Sequence, residues 1–239
     1  MKKLFGISLL LLFPFFYSNA QNVVYDANAI VRKVGDFHGV SVGSGIRLYL
    51  SQGKNLAVAV SADEKQYAER IITEVKNGVL RIYVEGKWWN SWNWGNKKLK
   101  AYVTVDDLSY LGASGGSIIT MVDDFVVNKL ESDISGGSII EGKIRGNSID
   151  MELSGGSISK MEANFDRGEI DASGGSIVKE NNFIVNSADV EASGGSIINL
   201  TVNKDLKVEA SGGSIVNYKG NGTISSVESS GGSSVKKKG

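Results

Sequence analysis

Carboxylates recur at a fixed place in the second half of this 239-residue sequence. Four pairs of them, each spaced two residues apart, return about every 19 residues, and single carboxylates extend one of the two series. The pairs are Glu131 and Asp133, Asp150 and Glu152, Glu169 and Asp171, and Asp189 and Glu191, and the single residues are Glu209 and Glu228. Residues two apart on a strand point to the same side. Carboxylate oxygens concentrated in this way suit calcium or a basic partner.

The four tryptophans form the second candidate site. Trp88, Trp89, Trp92 and Trp94 lie within seven residues, in a polar segment between two predicted strands. Clustered aromatic side chains usually bury area, here as a cap over the sheet. Exposed, they would form a platform on which sugar rings stack. The sequence leaves both interpretations open.

Composition excludes several kinds of chemistry. With 26 basic and 26 acidic residues the chain is formally neutral, which disfavours generic nucleic-acid binding. The absence of cysteine excludes disulfides and thiolate sites, and a single histidine, His38, excludes a multi-histidine zinc site. No nucleophile elbow, phosphate-binding loop or dinucleotide fingerprint is present. We therefore expect a protein that is not an enzyme and has no cofactor other than weakly bound calcium.

A repeat must position the carboxylates. The tetrapeptide Ser-Gly-Gly-Ser occurs seven times, beginning at Ser114, Ser135, Ser154, Ser173, Ser193, Ser211 and Ser230. A period of about 19 residues indicates a solenoid in which each repeat is one coil. The glycine pair would turn a corner where a side chain would crowd the next coil.

The residues that flank each tetrapeptide predict strands. Apolar residues lie one and three positions before it, as Ala172 and Ile170 do, and this period of two is typical of a strand with one buried face. The isoleucine that follows it is predicted to be buried too, with Ile158 and Ile177 in the middle of an interior ladder. The flanking serines would form hydroxyl ladders at the corner. The pattern predicts an all-β fold, a parallel β-helix.

In such a solenoid the carboxylate pairs would stack. Coils about 4.8 Å apart would place like charges where each neighbour costs roughly 1 kcal/mol even in water. The face is then merely solvated, or binds cations, or meets a basic surface. Its densest part, and the candidate cation site, comprises Asp150, Glu152, Glu169, Asp171, Asp189 and Glu191.

The N-terminal part, 21–110, is predicted to hold further β-rich coils and a cap, continuous with the regular repeats of 111–239. Strands are predicted over 37–42, 46–50, 56–60, 79–84 and 99–105. Gly43-Ser44-Gly45-Ile46 looks like a degenerate repeat corner, and Asn77-Gly78 a hairpin turn. Ser61 and Glu64 read as a capping box that opens a helix from Ala62 to about Ile71. The lysines 236–238 would guard the exposed final edge.

Residues 1–20 have the features of a secretory signal peptide. Lys2 and Lys3 precede an apolar stretch over 4–17, and Ser18-Asn19-Ala20 supplies small residues for cleavage. The apolar run is shorter than a membrane-spanning helix requires. We therefore expect secretion across the inner membrane to the periplasm, the outer-membrane surface or the medium.

These features together resemble a known bacterial family. The segments that carry the resemblance are Phe37-His38-Gly39-Val40-Ser41-Val42, Gly43-Ser44-Gly45-Ile46, the stretch from Thr73 to Ile82, and the recurring Ala-Ser-Gly-Gly-Ser-Ile. They are similar to the putative auto-transporter adhesin, head GIN domain family over roughly 36–220. The resemblance implies a right-handed β-helix on an envelope or secreted protein, and no catalytic residues.

The functional expectation is a non-enzymatic, adhesin-like scaffold of the cell envelope. Its partner would be a glycan or a surface protein of the envelope or host, and not a nucleic acid. The alternative from another class is a polysaccharide lyase or hydrolase, since such enzymes use carboxylate clusters on β-helices. A catalytic site, however, breaks repeat symmetry at one place, and these carboxylates recur coil after coil.

Overall fold

The computed structural model describes residues 26–85, 97–179 and 182–238. Its one helix in those ranges is α1 (Lys65–Ala68). The strands that precede the regular repeats are β1 (Ile30–Val31), β2 (Gly39–Val42), β3 (Arg47–Gln52), β4 (Ala57–Ser61), β5 (Ile71–Lys76), β6 (Val79–Val84), β7 (Lys100–Val105) and β8 (Tyr110–Ala113). Those of the repeats are β9 (Ile118–Ile134), β10 (Ile139–Leu153), β11 (Ile158–Ala172), β12 (Ile177–Val178), β13 (Phe183–Ala192), β14 (Ile197–Ala210), β15 (Ile215–Lys219), β16 (Thr223–Ser229) and β17 (Ser234–Lys237).

Equivalent residues of successive repeats stack in parallel register. Met151 on β10 pairs with Ile170, which pairs with Val190, which pairs with Val208 on β14. The same sheet continues into the N-terminal part, where β2 pairs in parallel with β6 and β8, and β3 with β7 and β9. The predicted parallel β-helix of about 19 residues per coil is confirmed.

The first glycine of each corner is required by the backbone. Gly174 has a φ of 66°, and a Cβ on it would lie 3.2 Å from the backbone nitrogen of Gly155 in the coil before. Ser44 and Gly45, with φ values of 60° and 68°, occupy the equivalent corner of the N-terminal part. There Ser114 N–H donates to the Val42 carbonyl at 2.9 Å, so the degenerate corner stacks as predicted.

The interior ladder differs from the prediction after each corner. Ser117, Ser138, Ser157, Ser176, Ser196 and Ser214 are fully buried. Because side chains alternate along a strand, the isoleucine that follows each serine faces outward, and Ile158 and Ile177 are half-buried rather than interior. The next residue faces inward again, as Val178 does. The prediction of buried isoleucines was therefore wrong by one residue.

The residues before each corner follow the prediction until the last coil. Ile170, Ala172, Val190 and Ala192 are all buried. In the terminal coil Val227 is 41% exposed, because no further coil lies over β16 among the described residues. Lys236 and Lys237 lie exposed on β17, at the same edge.

The other end of the solenoid carries antiparallel strands. β4 pairs with β7, β1 with β4, and β5 with β6. The β5–β6 turn is the predicted hairpin, with φ values of 52° at Asn77 and 76° at Gly78. The predicted capping box was wrong: α1 is only four residues long, its N-cap Glu64 makes no capping bond, and Ser61 is buried in the core instead.

Candidate functional site

Ten carboxylates form one outward surface, which we call the acidic face. Its first column contains Glu131, Asp150, Glu169 and Asp189, and its second column contains Asp133, Glu152, Asp171, Glu191, Glu209 and Glu228. Consecutive members of each column are direct partners in the parallel sheet. The inward residues between them, such as Met151 and Ile170, are fully buried, and this fixes the carboxylates on the outside.

The acidic face alternates long and short side chains. Over the first four coils Asp and Glu alternate down each column. The two columns are out of phase, so that an aspartate in one column lies beside a glutamate in the other. Asp171, for example, pairs with Glu152 and Glu191 and lies two residues from Glu169. The aspartates are half-buried, whereas these glutamates are exposed. The difference of one methylene places neighbouring charges at different heights above the sheet. This staggering reduces the repulsion that a column of identical residues would have.

Asp171 lies at the centre of this arrangement. Burial, together with the charges of Glu191, Glu169, Glu152 and Asp150, raises the pKa of its carboxyl to about 6. Among the described residues no hydrogen bond or ion pair offsets the charge of Asp171. The centre of the acidic face therefore holds an uncompensated carboxylate near neutral pH.

Partners for carboxylates of the acidic face are found only towards its two ends among the described residues. The Tyr110 hydroxyl donates to Asp133 Oδ2 at 2.8 Å, and burial together with this bond raises the pKa of Tyr110. At the other end Lys207 replaces a carboxylate in the first column, and its Nζ lies 2.8 Å from Glu209 Oε1 and 3.3 Å from Asp189 Oδ2. Hydrogen bonds to these two groups raise the pKa of Lys207. Asp133 thus has a hydrogen-bond donor and Lys207 offsets part of the charge of Asp189 and Glu209, whereas Asp150, Glu152, Glu169, Asp171 and Glu191 have no such partner among the described residues.

A groove of about 610 Å³ runs along the second column. One wall consists of the carboxylates from Glu152 to Glu228, and the other of the serines that open each corner. Those serines are Ser154, Ser173, Ser193, Ser211 and Ser230. In the described ranges no three carboxylate or imidazole groups converge on one point as a metal cage would require. A cation in this groove would bridge neighbouring carboxylates and would be held weakly.

The border of the acidic face along the first column contains basic as well as acidic residues. A second groove, of about 860 Å³, follows the first column and contains Lys129, Arg167 and Lys207 among acidic and neutral residues. Lys129, Ser148 and Arg167 are direct partners in successive strands. The uncompensated negative charge therefore concentrates on the side of the second column, next to the serines.

A third groove, of about 930 Å³, lies near the capped end and was missed by the sequence reasoning. Tyr49 and Tyr102 stack there with ring centroids 5.3 Å apart. Asp26 accepts a hydrogen bond from the Tyr102 hydroxyl at 2.8 Å and from Lys100 Nζ at 3.1 Å. Burial raises the pKa of Asp26, but these bonds outweigh it and lower the pKa to about 2. The outward position of both tyrosines on predicted strands was the only sequence signal.

The tryptophan segment lies outside the described residues. Trp88, Trp89, Trp92 and Trp94 fall in 86–96, between β6 and β7. The predicted signal peptide, 1–20, is likewise outside the described residues.

His38 has a serine partner. Its Nδ1 lies 2.7 Å from Ser109 Oγ, which in turn donates to the His38 carbonyl at 3.3 Å. Its Nε2 faces the backbone of Gly78, so closely that any side chain there would collide with the ring. No described carboxylate orients the imidazole. This geometry fits a residue that fixes the β5–β6 hairpin rather than a catalytic base.

Comparison with protein families gives one assignment. The model described as "Putative auto-transporter adhesin, head GIN domain" matches residues 36–222. No curated protein matches the chain. Among the described residues no helix is long and apolar enough to cross a membrane.

Several solved structures share the fold. A putative adhesin from Bacteroides fragilis NCTC 9343 aligns with a TM-score of 0.77 and 18% identity, over 89% of this chain and 98% of that one. A putative adhesin from Parabacteroides merdae ATCC 43184 aligns at 0.69 and 13% identity, over 88% and 95%. A putative lipid binding protein from Parabacteroides distasonis ATCC 8503 aligns at 0.62 and 20% identity, over 88% and 98%. At these identities the likeness establishes the fold.

Proposed function

The chain belongs to the putative auto-transporter adhesin, head GIN domain family, and from this premise we propose that it is an exported, non-enzymatic β-helix of the cell envelope that binds a basic partner on its acidic face. The partner class is a surface protein of the envelope or of a host. Calcium would be a weak competitor for the same carboxylates. Family membership supports the adhesin-like role, and the proposed leader supports export.

One observation carries this proposal: the middle of the acidic face repeats uncompensated carboxylates in register, beside a continuous groove. Four successive coils each present a carboxylate pair, so a partner of repeating positive charge meets negative charge along the whole length of the face. A catalytic site is a single constellation at one bond, whereas the acidic face repeats the same carboxylate pair at four successive coils. The regularity suits recognition better than bond cleavage.

Binding of hexalysine, measured by calorimetry at low and high salt, tests the proposal. The variant Glu152→Gln, Asp171→Asn, Glu191→Gln removes three charges from the second column. A matched variant, Asp36→Asn, Asp63→Asn, Glu69→Gln, removes three exposed charges from the N-terminal part. We expect the first variant to weaken binding by at least about tenfold and the second to change it little. Equal losses in both variants would mean that binding follows net charge alone.

A glycan is the second partner class, and the stacked tyrosines are the observation that favours it. Aromatic rings beside a carboxylate and an ammonium group suit a sugar, which offers both an apolar face and hydroxyl groups. Binding to a glycan array is measured for two variants, Tyr49→Ala and Trp92→Ala with Trp94→Ala. Loss of binding in the first variant would place the glycan site in this groove, and loss in the second would place it in the tryptophan segment. Binding that both variants retain would exclude both sites.

The enzymatic alternative is tested separately. The protein is incubated with a panel of acidic and neutral polysaccharides, and reducing ends and unsaturated products are measured. We expect no turnover. Turnover of any glycan would overturn the non-enzymatic assignment, and its loss in Asp171→Asn would place the chemistry on the acidic face.

A further inference from the structure

The second glycine of the corner is not required by its backbone conformation in four of the coils. The left-handed φ that favours glycine is present at Gly116, Gly137 and Gly156 but absent at Gly175, Gly195, Gly213 and Gly232. A Cβ on Gly175 would meet nothing within 4 Å, and on Gly195 or Gly213 it would make ordinary contacts at 3.5 and 3.6 Å. Alanine would therefore fit at all three positions. Without a side chain, each of these glycines leaves the backbone open to the close approach of another molecule.

An apolar stripe lies on the other side of the same corner. Six isoleucines stack in the parallel sheet, each partly exposed and each directly after a corner: Ile118, Ile139, Ile158, Ile177, Ile197 and Ile215. Ile215 is 36% exposed. The outward position two residues further along varies instead, with Thr120, Glu141, Lys160, Lys179 and Asn199. Side-chain stacking favours β-branched residues here, and the result is a continuous aliphatic surface.

The corner is thus a bare ridge between two unlike surfaces. The acidic groove lies on one side, walled by Glu152, Asp171 and Glu191, and the isoleucine stripe lies on the other. Six coils at about 4.8 Å give the ridge a length of roughly 24 Å. An extended peptide of about seven residues covers that length, and its side chains alternate between its two sides.

We propose that this ridge is the docking surface for an extended polypeptide in which basic and apolar side chains alternate. Its basic residues enter the acidic groove, its apolar residues cover the isoleucine stripe, and its backbone lies against the second glycines. The proposal deepens the proposed function, on which it rests, by defining the partner's pattern. The charge of the acidic groove favours a basic side chain at every second residue of the partner. The isoleucine stripe favours an apolar side chain at the residues between them.

Two octapeptide probes, one of alternating Lys and Leu and one of alternating Lys and Ser, test the pattern. We expect the protein to bind the Lys-Leu peptide at least about tenfold more tightly than the Lys-Ser peptide. The variant Ile158→Thr with Ile177→Thr keeps the β-branched shape and should abolish this preference alone. Equal affinity of the two peptides for the unchanged protein would overturn this inference and leave the proposed function intact. Failure of both peptides to bind would overturn both.

The glycines supply the decisive variants. The triple variant combines Gly175→Ala, Gly195→Ala and Gly213→Ala. It should fold with an unchanged or slightly raised melting temperature, because alanine lowers the conformational entropy of the unfolded chain. It should nevertheless weaken binding of both peptides. Gly174→Ala is the structural control and should lower the melting temperature. Unchanged peptide binding by the triple variant would overturn the inference. Displacement of the Lys-Leu peptide by a glucosamine oligomer, with the same sensitivity to the triple variant, would overturn it in favour of a cationic glycan.

Discussion

Ser157 and Ile158 are consecutive residues that face opposite sides of the β-helix: the serine is fully buried and the isoleucine is half exposed. The Ser157 hydroxyl donates to the Ile134 carbonyl of the preceding coil at 3.0 Å. The small polar residue thus lies inside the corner, where it ties two coils together. The larger apolar residue is displaced to the surface, where it contributes to the isoleucine stripe.

This inversion predicts unequal costs for two isoleucines of adjacent coils. Ile170→Asp should destabilise the protein by about 3 kcal/mol or more, because it buries an unpaired charge in a closed interior. Ile177→Thr, on the stripe, should cost less than about 1 kcal/mol. Chemical denaturation of both variants measures the difference. Equal costs would contradict the inside and outside assigned to the two positions.

The acidic face predicts a loss of stability between mildly acidic and neutral pH. The folded pKa of Asp171 is raised to about 6, above the value of 3.8 that an isolated carboxyl has. Because the folded protein holds this proton more tightly than the unfolded chain does, protonation of Asp171 stabilises the folded state. This stabilisation is complete below pH 4 and is lost as the pH rises through 6. The melting temperature should therefore fall from pH 5 to pH 7.5, and by less in Asp171→Asn. A variant with the same fall as the parent would refute this role of Asp171.

Asp26 predicts the opposite dependence at lower pH. Its pKa is lowered to about 2 by the bonds from Tyr102 and Lys100, so its contribution is present above pH 4 and is lost as the pH falls towards 2. Asp26→Asn should lower the melting temperature at pH 6 and have little effect near pH 2. Thermal unfolding across this range tests it, with Tyr102→Phe as a variant that removes one of the two bonds.

Calcium should stabilise the protein more than sodium chloride of equal ionic strength. Binding to the folded state raises the melting temperature by mass action, whereas screening makes the two salts equivalent. The variant Glu169→Gln with Asp171→Asn should remove the calcium-specific part. Equal shifts in the two salts, or an unchanged calcium effect in the variant, would reduce the acidic face to a solvated surface with respect to this ion.

The period of the repeats was sufficient to predict the stacking, and with it the acidic face. Strand alternation before the corner placed Ile170 inside and Asp171 outside, as the structure has them. The alternation after the corner could not be predicted. A corner interrupts the strand, and the period of two within each strand does not say which residue after a Ser-Gly-Gly-Ser corner is the first to face inward. The groove of Asp26, Tyr49 and Tyr102 was also beyond reach, since strands far apart in sequence assemble it without a repeat.

Covalent mapping of a basic probe on the protein tests the central claim most directly. Hexalysine is coupled to nearby carboxylates with a carbodiimide at low occupancy, and the modified residues are identified by peptide mass spectrometry. We expect the cross-links to concentrate on Glu152, Asp171 and Glu191, which lack a cationic partner among the described residues, and we expect excess salt to remove them. Cross-links distributed equally over other exposed carboxylates, such as Asp36, Asp63 and Glu69, would contradict it.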